Sequence, residues 1–233
     1  MLFLARHAYG AVVDASDGKL GKRSDLVFDD QTWEIRSLVL DAGTWLHSRR
    51  VTLPPHLIRQ KHWADHRLLV EGLTRQQVLD SPGTETHIPL GTPPKVEEAT
   101  IVDWDVYWID NMVHPWQVSD DPRLRNTREV TGYHIQASDG PLGHIVDFVV
   151  TDEAWIVRFL LVDTRNWWPG MHVLIATSQV EAIVGEERVV RLGISREAIG
   201  QSRPYDDTTP LEEPQAADQH RTAPPFRHGR HIV

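Results

Sequence analysis

Apolar and polar positions alternate over short runs along most of the chain, with a period near two and breaks at glycine, aspartate and proline. "GYHIQASDGPLGHIVDFVVTDEAWIVRFLLVD" (132–163) is the clearest case, and it predicts strands rather than helices. Ala11–Ala15 and Gly132–Ala137 each lead into Ser-Asp-Gly, where Gly18 and Gly140 supply the positive φ that a tight hairpin needs. Second strands follow at Leu26–Phe28 and Asp147–Val150, and third strands at Trp33–Asp41 and Trp155–Asp163, rich in branched and aromatic residues. Fourth strands are expected at Arg50–Pro54 and His172–Ala176, and fifth strands at Arg67–Gly72 and Arg188–Gly193. A short helix closes each series. Thr74 with Gln77 makes a capping box, and Ser195 caps a first turn that carries Glu197.

The paired predictions reflect a duplication. Residues 15–53 align with residues 137–175 at a constant offset of 122, without a gap, and the match resumes after a one-residue slip in "GLTRQQVLDSP" and "GISREAIGQSRP". Trp33/Trp155, Arg36/Arg158, Asp25/Asp147, Gly21/Gly143 and Trp45/Trp167 are among the recurring residues. Short strands at such spacing, written twice, predict an all-β protein of two tandem small barrels, closed or nearly closed and each finished by a short helix. The boundaries expected are 1–82 for the first barrel and 127–206 for the second. Residues 83–126 form a linker that opens with prolines and turns into an aromatic segment bearing Trp104 and Trp108, expected to dock on a barrel. Residues 207–233, rich in proline and charge, are expected to be disordered.

The stretch "TREVTGYHIQASDGPLGHIVDFVVTDEAWIVRFLLVDTRNWWPG" (127–170) resembles a PRC-barrel domain, in particular the bacterial tandem PRC-barrel proteins similar to the cytoplasmic domain of the photosynthetic reaction-centre H subunit. The first copy resembles it more distantly, and the two together cover about two-thirds of the chain. The resemblance implies barrels that hold other macromolecules, as in capping a membrane complex, and it brings no catalytic motif. The H subunit carries a membrane-spanning helix ahead of its barrel; this chain has no apolar run of comparable length.

Composition narrows the chemistry. A net charge of −9 argues against a general nucleic-acid binder, and the absence of cysteine excludes disulfides, thiolate nucleophiles and Cys-type metal sites. The five apolar residues before Arg6 are too few for a secretory signal, so a cytoplasmic location is expected. The paired aspartates Asp17/Asp139, Asp25/Asp147 and Asp41/Asp163 fall at turns or strand ends and are expected to bond local backbone. Arg36 and Arg158 interrupt apolar strands and are expected to pair with one of those aspartates. His62 and His66 have zinc-like spacing only if helical, and the second copy has Val184 and Arg188 there, so no metal ligand or cofactor is assigned.

A non-catalytic adaptor or assembly module is therefore expected, regulatory or stress-related, binding a protein partner and able to form a homo-oligomer. Trp168, Arg165, Pro169, Trp104 and Trp108 are the candidate contact residues, and Trp45, Trp167, Gly18, Gly140, Arg36 and Arg158 the structural ones. Two alternatives stand beside it: a small-ligand or metal sensor with its site between the barrels, and a peripheral factor in reaction-centre assembly or electron transfer.

Overall fold

The computed structural model describes residues 1–42, 50–70, 72–80, 123–164, 171–201, 204–206 and 211. The described chain is all-β with short helices, and it forms two seven-stranded mixed sheets. In the first half, β1 (Leu2–Leu4) is followed by β2 (Val12–Ala15), β3 (Gly18–Asp29), β4 (Ile35–Asp41), β5 (Arg50–Leu53), β6 (Ile58–His62) and β7 (Arg67–Val70), then α1 (Arg75–Asp80). The second half repeats this as β8 (Leu124–Asn126), α2 (Thr127–Val130), β9 (His134–Ala137), β10 (Gly140–Thr151), β11 (Val157–Asp163), β12 (His172–Ala176), β13 (Val180–Val184), β14 (Val189–Leu192) and α3 (Arg196–Gly200). In the first half a 3-10 turn, Ala5–Ala8, takes the place of α2.

The strand order is β5-β4-β3-β2-β7-β6 in one sheet and β12-β11-β10-β9-β14-β13 in the other. β2 pairs with β7, and β9 with β14, in parallel; the other ladders are antiparallel. Backbone pairing does not close either path into a barrel, so of the expected closed or nearly closed barrels the structure shows the all-β class and not the closure. The two ends of each path are consecutive strands, joined around a corner by the 3-10 turns Pro55–Leu57 and Thr177–Gln179. At the first corner Pro54 and Pro55 carry no N–H for a ladder.

Each hairpin turn spans Ser-Asp, and its glycine opens the long strand at φ +138° in Gly18 and +142° in Gly140. Gly21 and Gly143 mark the bend in those strands. A Cβ on either would collide with the Asp41 or the Asp163 carbonyl oxygen of the strand passing alongside, so only glycine fits. The closing helices are capped as the sequence predicts: the Gln77 N–H donates to Thr74 Oγ1 at 3.2 Å, the Thr74 N–H to Gln77 Oε1 at 2.8 Å, and the Ala198 N–H to Ser195 Oγ at 3.2 Å. The hairpin aspartates add to this. Asp17 accepts from the Arg75 N–H and Asp139 from the Arg196 N–H, which ties each turn to its helix.

The two halves trade their leading strands. β1 leaves its own sheet and pairs with β10 of the second half (Leu2↔Thr151, Phe3↔Val150, Leu4↔Val149), while β8 pairs with β3 of the first (Leu124↔Asp29, Arg125↔Phe28, Asn126↔Val27). Every partner in one ladder is the partner in the other shifted by 122, so a local two-fold axis relates the halves. It passes through an antiparallel bridge between Glu34 and Ile156, themselves equivalent residues. Beside it, the Ile35 N–H donates to the Trp155 carbonyl at 2.7 Å and the Val157 N–H to the Trp33 carbonyl at 2.8 Å. Both tryptophans are buried in the left-handed region, at φ 62° and 53°, a conformation that costs a non-glycine residue about 1–2 kcal/mol and here aims each carbonyl across the axis. One buried apolar cluster runs through both halves, with Phe28 stacked on Trp33 and 5.5 Å from Phe148.

Candidate functional site

Titratable groups with shifted pKa values concentrate at the joint between the halves. Asp25 and Asp147, equivalent residues on β3 and β10, each reach across to the lead-in segment of the other half. Asp25 Oδ1 accepts from the Arg128 N–H at 3.2 Å and from the Thr127 hydroxyl at 2.7 Å, while Asp147 Oδ1 accepts from the Arg6 N–H at 3.2 Å. Arg6 and Arg128 are themselves equivalent, so the crossed caps obey the same two-fold relation as the exchanged strands. The Phe148 N–H also donates to Asp147, and Arg6 Nε lies 3.5 Å from its other oxygen. Burial at 2% exposure pushes the Asp147 carboxyl up to about 6, against the lowering effect of those N–H groups, Arg6 and Arg23.

Arg23 breaks the symmetry, because its equivalent is Ile145. Its side chain is 1% exposed; Nε donates to the Ala8 carbonyl and Nη2 to the Ala5 carbonyl, both at 2.7 Å, and among the described residues Nη1 has no hydrogen-bond partner. Burial lowers its pKa to about 10. The Tyr9 ring lies 4.9 Å from the Arg23 guanidinium and 5.2 Å from that of Arg128. Tyr9 Oη is 2.9 Å from Thr127 Oγ1. The single Thr127 hydroxyl proton goes to Asp25, so Tyr9 donates to Thr127, and a chain of hydrogen bonds runs from ring to carboxylate across the joint. These groups spend their polar atoms mainly on backbone and on each other. They brace the lead-in segments in place.

A second cluster is aromatic. Phe3 on the exchanged strand lies 4.3 Å from Trp63 and 6.0 Å, edge-on, from Trp155, and the Lys61 ammonium sits 5.0 Å from the Trp155 ring. Burial lowers the Lys61 pKa, while Asp152 and Glu153 raise it.

Comparison with protein-family models and with curated proteins returns no match.

Among the residues singled out by sequence, Trp45, Arg165, Trp167, Trp168, Pro169, Trp104 and Trp108 lie outside the described residues, as do the linker 83–122 and most of the tail. Gly18 and Gly140 follow the Ser-Asp turns of the two hairpins, both at positive φ. Arg36 is half-exposed and pairs with Asp29 at 3.2 Å and Glu34 at 2.8 Å, not with Asp17, Asp25 or Asp41, and Arg158 is exposed. Strand alternation turns both side chains away from the core, so neither needs the buried partner the sequence suggested. His62 ends β6 and His66 closes the 3-10 turn Trp63–Asp65, so they share no helix. Among the described residues no three metal-ligating side chains gather. No described helix is long and apolar enough to cross a membrane.

Sequence reasoning missed Arg6, Tyr9, Arg23 and Thr127. One signal was present: Arg23 stands opposite Ile145 in the alignment of the copies, a charge where the duplicate has a core residue.

Proposed function

We propose that the chain is a non-catalytic adaptor, built from two PRC-type barrels of open backbone pairing, that binds a protein partner. The observation that carries this reading is the joint itself. Its carboxylates, its hydroxyls and most of its arginine donors serve as crossed caps and braces between the halves. That use of polar groups suits a rigid platform whose contacts lie on outer faces and loops. The ligand-sensor alternative draws less support, because the space between the halves is taken by Phe28, Phe148, Trp33 and Trp155.

Trp168, Arg165, Pro169, Trp104 and Trp108 are the proposed contact residues. The test is affinity capture from the native cell, with wild type and Trp168→Ala side by side. A specific partner held by the wild type and weakened at least tenfold by Trp168→Ala, with an unchanged melting temperature, supports the reading. A partner held equally by both removes Trp168 from the surface. No specific partner across growth and stress conditions, together with thermal stabilisation by a metal or small anion, overturns the adaptor in favour of a sensor.

A further inference from the structure

The joint buries the leading strand of each half in the sheet of the other. Its contacts are the β1–β10 and β8–β3 ladders, the Glu34–Ile156 bridge and the crossed aspartate caps. They link residues 1–80 to residues 123–201, and only residues 81–122 join those two blocks covalently. None of these contacts requires both blocks to belong to one molecule. At ~3.3 Å per extended residue the connection has a contour on the order of 100 Å, enough for its ends, Asp80 and Arg123, to sit in different joints.

Separated blocks would expose Leu2, Phe3, Leu4, Phe28, Trp33, Phe148 and Trp155, an apolar surface that does not stay uncovered in water. The partner with matching shape and register is the complementary block of a second copy.

We propose that the joint is also an interface between molecules, in which the first half of one chain docks on the second half of another to give an exchanged dimer. The same ladders form in monomer and dimer, so their balance is set by concentration against the effective concentration that the connection imposes, on the order of mM for a short flexible linker and less for a long one. The dimer fraction should therefore rise steeply between micromolar and millimolar protein.

The absence of cysteine makes the test clean. Leu2 and Thr151 are Cα partners in the ladder, and at the ~4.5–5.5 Å spacing of antiparallel neighbours they suit a disulfide. Full-length Leu2→Cys and Thr151→Cys variants are mixed, unfolded, refolded together at 5 μM to 1 mM (about the range that brackets the effective concentration) and oxidised. A Leu2→Cys/Thr151→Cys double variant refolded at high dilution reports the pairing within one molecule. Exposed Lys19→Cys mixed with Thr151→Cys reports random collision. The expected result is a disulfide between molecules in the first mixture, rising at least fivefold with concentration and absent from the collision control, with a dimer mass by light scattering.

No such disulfide at any concentration, with the double variant crosslinked, overturns the proposal. So does equal crosslinking in the collision control. Either result leaves the adaptor reading intact, because that reading concerns a different protein held on the outer surfaces.

Discussion

Replacing Asp147 by asparagine should stabilise the protein at neutral pH, even though the carboxylate accepts two backbone hydrogen bonds and faces Arg6 at the joint. Burial raises its pKa from 3.8 to about 6. Between those values the native state holds a proton that the unfolded chain has released, so stability falls as pH rises through the window and the loss is complete above pH 6. At 1.36 kcal/mol per pH unit, the gap of roughly two units corresponds to about 3 kcal/mol. Asparagine keeps an acceptor for the Arg6 and Phe148 N–H groups, and the attraction of Arg6 for the carboxylate is already contained in the raised pKa. Asp147→Asn should therefore gain about 2–3 kcal/mol over wild type at pH 7.5. At pH 4, where both side chains are neutral in the native state, the two proteins should agree within ~1 kcal/mol. Urea unfolding at the two pH values measures this directly. A variant less stable than wild type at pH 7.5 by more than ~1 kcal/mol, or a difference that does not change with pH, would show that the ionised carboxylate holds the joint together.

Gly143→Ala places a methyl group against the Asp163 carbonyl and should lower stability by at least ~2 kcal/mol in urea unfolding, whereas Gly10→Ala, with open space around it but φ +75°, should cost about 1 kcal/mol. Phe28→Ala removes a fully buried ring that contacts Trp33 and Phe148 and should cost about 3–5 kcal/mol, with both halves unfolding in one transition by calorimetry; two separated transitions would contradict a shared core. Arg23→Ile installs the residue that the second half has at this position. Relief of the buried charge offsets the lost bonds to Ala5 and Ala8, so the net change should stay within ~1.5 kcal/mol, whereas Arg23→Ala, which also leaves a cavity, should cost more than ~2 kcal/mol by the same assay.

The strands with branched residues and the hairpins with Ser-Asp-Gly were legible because their determinants are local. The helix caps at Thr74 and Ser195 were legible for the same reason. Predicted second strands stopped short, at Leu26–Phe28 and Asp147–Val150, because Gly21 and Gly143 look like breaks in sequence; in the fold they are bends inside Gly18–Asp29 and Gly140–Thr151. β6 and β13 were missed, since IRQKH and VEAIV show too little alternation next to a turn. β1 and β8 are three residues each, and nothing in Leu-Phe-Leu or Leu-Arg-Asn states that the partner lies in the other half. The structure narrows the position of the one-residue slip within the stretch between the two aligned segments. Equivalent ladders pair Val12 with Arg67 and His134 with Val189, so the offset of 122 persists through β7 and β14 and changes only before Gly72 and Gly193. Partner choice and register are properties of the assembled sheet, which a single strand's pattern does not encode.

The duplicated halves differ on the outer faces of their sheets. Leu2, Leu4, Val149, Phe159, Leu161 and Leu174 make an apolar outer layer on the second sheet, with Tyr205 and Leu211 packed against it and the Tyr205 N–H donating to the His172 carbonyl at 2.7 Å. The equivalent positions on the first sheet are Leu124, Asn126, Val27, Ser37, Val39 and Thr52. Ser37 and Thr52 are buried there, and among the described residues their hydroxyls have no hydrogen-bond partner. Two buried hydroxyls on a face whose duplicate is purely apolar give the two faces different chemistry. The exchanged strands and the backbone N–H caps on Asp25 and Asp147 recur on both sides of the joint, with Arg23 opposite Ile145 as its break in symmetry, and the faces that turn away from it have diverged. On the adaptor reading proposed above, specificity for a partner is to be sought on the outer faces, one half at a time.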